Sequence, residues 1–123
     1  RSVSAFLLNR SSDLEINFSL FARLLNQLQR NGWKLGIISW TAKNGSEVYN
    51  LAVEMAKRAW LAQHLPSVQW DEIKVVRYGT NKLTATGGGI LFDDEEGNRN
   101  IWGENAYNPQ QIVEILKKLK GVD

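Results

Sequence analysis

Three short stretches carry side chains that could do chemistry together. Ser39-Trp40-Thr41 closes one apolar run, Tyr78-Gly79-Thr80-Asn81-Lys82 follows a second, and Asp93-Asp94-Glu95-Glu96 terminates a third. A hydroxyl with neighbouring backbone N–H groups can bond phosphate oxygens, and a lysine can neutralise their charge. Paired carboxylates can hold a hard cation such as magnesium. Ser39 and Lys82 are therefore the candidate phosphate ligands, and Asp93 and Asp94 the candidate metal ligands. The acidic run is the strongest of these signals. Charge runs are usually solvated faces, but this one directly ends an apolar strand, where a parallel sheet places its functional groups.

The surrounding pattern supplies elements to hold those positions. Residues 13–31 read as a helix, with Leu14, Phe18, Phe21, Leu24, Leu25 and Leu28 on one stripe, Asn17 as cap of its main segment and Asn31-Gly32 as its stop. Lys34 to Trp40 is a nearly unbroken apolar run that fits a strand covered on both faces. Ser46 to His64 repeats the helical signal through Val48, Leu51, Ala52, Met55, Ala59, Trp60 and Leu61, and Pro66 closes it. Val68 to Val76 is a second strand. Gly79 to Gly89 is polar and glycine-rich, hence a loop with room for a short helical turn, and Gly89 to Asp93 is a third strand. A weak fourth lies at Ile101-Trp102 or Ala106-Tyr107. Asn108-Pro109 opens a last helix that carries Lys117, Lys118 and Lys120 near its carboxyl end. This alternation predicts one three-layer α/β domain over residues 1–123, with a mainly parallel sheet and its ligands at the carboxyl ends of the strands.

Composition removes several classes of function. The 123 residues are 43% hydrophobic and 23% charged, within the range of folded domains. The absence of cysteine excludes a disulfide scaffold and a thiolate metal site or nucleophile, and the one histidine, His64, excludes a multi-histidine zinc site. A net charge of +2 argues against a nucleic-acid partner. No apolar run is long enough for a membrane span and no signal peptide opens the chain, so the expectation is a cytoplasmic domain with no membrane partner. The chain starts at Arg1 and its one methionine is Met55, which favours something upstream having been cut away.

Taken in order, Ser39 at a strand end, then Lys82, then Ile90-Leu91-Phe92-Asp93-Asp94 resemble the second, third and fourth motifs of the haloacid dehalogenase-like (HAD) phosphohydrolase superfamily. The approach Arg30-Asn31-Gly32-Trp33 into the strand ending at Ser39 is similar too. The run from Ile90 to Trp102, with Asn98-Arg99 after the acidic cluster, resembles small phage and bacterial members. The resemblance spans residues 14–119. It implies a Rossmann-like fold, magnesium as cofactor, a phosphorylated small molecule as ligand, and phosphomonoester hydrolysis through an aspartyl-phosphate.

The superfamily's first motif, a buried strand ending Asp-x-Asp, has no match. If Val3 to Leu8 is that strand, Asn9 stands in the nucleophile's place and Ser11 in that of the general acid, and neither can do the work. Magnesium would then bind weakly or not at all, and the chain would be a non-catalytic binding or interaction module. The alternative puts the true first strand before Arg1 and residues 2–9 in a cap helix. The exposed sheet edge would then invite a second copy or a strand-supplying partner.

Other features carry bland readings. Lys74 sits inside a strand and alternates outward. Thr86-Gly87-Gly88-Gly89 precedes a strand rather than following one and fits neither phosphate-loop pattern. His64 is a helix-end group near the dipole's negative pole. The five tryptophans are mostly core, with Trp40 placed to wall a pocket and stack on a ring.

Overall fold

Unbroken apolar runs form strands that are buried on both faces, and here they form a parallel sheet around the amino-terminal strand. The computed structural model describes the backbone of residues 2–6 and all of residues 17–120. Strand β1 (Ser2–Phe6) is followed by α1 (Phe18–Arg30), β2 (Lys34–Trp40), α2 (Glu47–His64), β3 (Glu72–Val76) and α3 (Lys82–Thr86). Then come β4 (Ile90–Asp93), α4 (Glu96–Trp102), β5 (Ala106–Tyr107), a 3-10 turn (Pro109–Gln111) and α5 (Ile112–Lys120). The five strands lie in the order β3-β2-β1-β4-β5 with every pair parallel. Ala5 stands opposite Ile37 on one side and Phe92 on the other, so β1 is the centre. Residues 2–6 are thus a strand and not part of a cap helix, and they fill the place for which a partner-supplied strand was the alternative.

Two apolar clusters flank the sheet. Leu35 and Ile37 of β2 and Phe92 of β4 pack with Phe21, Leu24, Leu25 and Leu28 of α1 and with Ile112 and Leu116 of α5. The neighbouring residues Ile38 and Leu91 belong to the second cluster, with Trp102 of α4 and with Val76, Ala85 and Ala106. Successive side chains of a strand point to opposite faces, so each short run serves both clusters. Each fully buried Leu, Ile or Phe contributes about 1.5–3 kcal/mol relative to exposure.

Several boundaries differ from the sequence pattern. Helix α1 starts at Phe18, capped by the Asn17 side chain, which accepts from the Leu20 N–H at 3.1 Å; residues 13–16 lie outside the described residues. The strand expected over Val68–Val76 is only Glu72–Val76, because Asp71 pairs sideways with Leu35: the Asp71 N–H donates to the Leu35 carbonyl and the Asp71 carboxylate accepts the Leu35 N–H. The polar stretch 79–89 contains a full short helix, α3, capped by Asn81 and stopped at Gly87, whose φ of +83° a side chain would resist. Ile101-Trp102 is helical, and the fourth strand position is taken by Ala106–Tyr107.

The largest correction concerns α2. Of its expected core stripe, Val48 is 80% exposed and Leu51 and Met55 are more than half exposed, while Leu61 is buried and Trp60 packs against the core. The helix also buries Lys57, which the stripe did not include. Among the described residues no helix is long and apolar enough to cross a membrane.

Candidate functional site

Ser39 is the penultimate residue of β2 and is completely buried. Its hydroxyl accepts a hydrogen bond from Nζ of Lys57, which reaches in from α2 and is only 8% exposed. Lys57 was not among the residues singled out from the sequence. The inward stripe of α2 runs through Asn50, Val53, Lys57, Leu61 and His64, at three- and four-residue spacing. A lysine in the middle of that stripe was the available signal, masked by a second, more apolar stripe on the outer face.

Lys82 is the first residue of α3 and Asp93 the last of β4, and the two make a buried ion pair. Lys82 Nζ lies 2.6 Å from Asp93 Oδ2, with Lys82 3% exposed and Asp93 completely buried. Oδ2 also accepts from the Asn98 side-chain amide at 3.2 Å, and Oδ1 accepts from the Glu95 N–H at 2.9 Å. Arg99 donates to the Asp93 carbonyl. Lys82 and Asp93 are thus in direct contact, with no room for a ligand between ammonium and carboxylate. The Lys82 ammonium also lies 5.4 Å from the centroid of the Trp40 ring, within cation–π range.

Both lysines are held below the ordinary lysine range. Burial holds the Lys82 ammonium below the ordinary lysine pKa, opposed by the charge and hydrogen bond of Asp93 and the charges of Asp94 and Glu95. Burial lowers the Lys57 pKa as well, and the positive charge of Lys82 lowers it further.

Asp94 lies at the exposed rim. Partial burial raises its carboxyl pKa, as do the negative charges of Asp93 and Glu95, while its backbone hydrogen bond and Lys82 pull the other way. A carboxylate offers about four lone-pair sites, and three hydrogen bonds already use most of those of Asp93. Among the described residues no three of His, Asp and Glu stand where they could hold a metal ion. In the described structure Asp93 acts as the counterion of Lys82.

Beside the lysines, a cavity of about 260 Å³ opens between the ends of β2, β3 and β4 and the first turns of α2. The Trp40, Tyr49 and Tyr78 rings line it with Lys57, Lys43 and Glu95. Its walls are tied together. Trp40 Nε1 donates to the Thr80 carbonyl at 2.8 Å, the Tyr78 N–H donates to the Thr41 hydroxyl at 3.2 Å, and the Trp40 and Tyr78 ring centroids are 5.0 Å apart.

The remaining sequence candidates fall elsewhere. Lys74 donates to the Ala85 carbonyl at 2.6 Å and pairs with Glu72. Thr86 to Gly89 ends α3 and enters β4. His64, at the end of α2, stacks on Phe18 and leans on Trp60, an aromatic contact that the helix-end reading had not included. Asn9 and Ser11 lie outside the described residues. No protein-family model matches the chain, and no curated protein is significantly similar to it.

Proposed function

We propose that this chain is a HAD-like, three-layer Rossmann-like domain that binds the phosphate of a phosphomonoester at the carboxyl edge of its sheet and does not hydrolyse it. One observation carries the reading: a buried serine hydroxyl and two buried lysines, Ser39, Lys57 and Lys82, converge where a parallel sheet presents its ligands. Burial disfavours both ammoniums, and a phosphate dianion seated against them would favour the charged forms again. The Ser39 hydroxyl can turn its proton to a phosphate oxygen while Lys57 neutralises the charge. Magnesium is not part of this reading.

Turnover needs an attacking carboxylate. Asp93 is engaged by three donors, and Asn9 and Ser11 stand where the resemblance puts the nucleophile and general acid. A neutral amide does not attack phosphorus in that role. A phosphorylated small molecule suits a cytoplasmic domain, and neither a membrane nor a nucleic acid enters the reading.

Calorimetric titration with inorganic phosphate and a phosphomonoesterase assay with magnesium test the two halves. Saturable phosphate binding without turnover is the expected result. Absence of phosphate binding would refute the site, and ordinary turnover would refute the missing nucleophile. Activity gained in an Asn9→Asp, Ser11→Asp double variant would show that β1 leads into the nucleophile's position.

A further inference from the structure

We infer that the ligand is an aryl phosphate, in which the phosphate is joined directly to a single aromatic ring that enters the cavity between Trp40, Tyr49 and Tyr78. This rests on the phosphate site proposed above and names its substrate class. The cavity and that site are continuous, because Lys57 belongs to both: its ammonium meets Ser39 and its side chain lines the cavity. Trp40 joins them as well, since its ring neighbours Lys82 and forms a cavity wall.

Size and wall chemistry then select the occupant. Ligand pockets usually span about 300–1,000 Å³, so one of about 260 Å³ admits a small group. A sugar spacer with a base beyond it would need more room than that. Three aromatic residues near the lysine offer stacked and edge-to-face contacts to a flat ring, beside the polar Thr41, Lys43 and Glu95 of the same wall. The rings are also held ready. The Trp40 indole is anchored to Thr80, and the backbone of Tyr78 to Thr41, so less ordering remains for the ligand to impose. Tyr49 and Tyr78 are 55% and 51% exposed, so their outer halves are open to an arriving ring.

The test is calorimetric titration with phenyl phosphate, glycerol 2-phosphate and inorganic phosphate, on the unmodified chain and on Tyr78→Ala and Tyr49→Ala. Both tyrosines are half exposed, so neither substitution opens the core. The expected result is phenyl phosphate binding about tenfold more tightly than either other probe. In the tyrosine variants the ratio of phenyl phosphate to inorganic phosphate affinity should fall toward one. Equal affinity for the two esters, with inorganic phosphate still binding, would overturn the aryl inference and leave the phosphate site standing. Failure of all three probes to bind would overturn both.

Discussion

Lys82 and Lys57 reach the same strand ends from different elements and are met by different groups. Lys82 comes from the first turn of the five-residue α3 and contacts a completely buried carboxylate, Asp93. Lys57 comes from the middle of the eighteen-residue α2 and contacts a hydroxyl, Ser39. Both are desolvated and both are held below the ordinary lysine pKa. Deleting the Lys82 charge leaves the completely buried Asp93 carboxylate without this cation. Burial alone therefore does not tell what a lysine is for. In this account Lys82 holds the corner together and Lys57 is the cation offered to the ligand.

The largest expected effect follows from that difference. Lys82→Met should destabilise the chain by about 3–5 kcal/mol, the usual consequence of removing one member of a buried pair. Denaturant unfolding measures it, and a loss below about 1 kcal/mol would erase the distinction between the two lysines. Next comes Asn98→Ala, which removes a hydrogen bond to a charged acceptor. Alanine's better helix propensity offsets part of that loss, leaving about 1.5 kcal/mol. Unchanged stability would mean that Asn98 does not support Asp93.

Much of this corner was legible because strand ends in a parallel sheet are where functional groups collect. Ser39, Lys82 and Asp93 stood out by position alone, whereas the sequence left open whether residues 3–8 form a strand, and the structure puts β1 between β2 and β4. What escaped was tertiary in origin. The segment Glu96–Trp102 contains Gly97, Asn98 and Asn100, which are poor helix formers. It is helical because Asp93 accepts from the Glu95 N–H, Asn98 and Arg99, and because Trp102 is buried with its Nε1 donating to the Gly89 carbonyl. Helix α2 misled for another reason. It has apolar residues on both sides, and only the packed structure shows that the stripe carrying Lys57 is the inner one.

A smaller effect should appear in the dependence of stability on pH. The Lys57 pKa is lower folded than unfolded, so between the two values the unfolded chain binds more protons and stability rises with pH. Below the folded pKa both states are charged and the folded state carries the full desolvation penalty. Lys57→Met should therefore gain most relative to the unmodified chain near neutral pH, and the gain should shrink as pH approaches 10.5. Urea midpoints of the two proteins across that range check the sign. A gain that grows with pH would contradict it.

The most direct measurement is phosphate binding by Lys57→Met, read in the same samples as its unfolding free energy at neutral pH. Methionine matches the lysine stem in length and suits a helix, so stability should stay within about 1 kcal/mol of the unmodified chain. Affinity for inorganic phosphate should fall at least about tenfold, as expected on removing a charge-assisted contact. A variant that stays folded and binds phosphate as tightly as the unmodified chain would contradict the account.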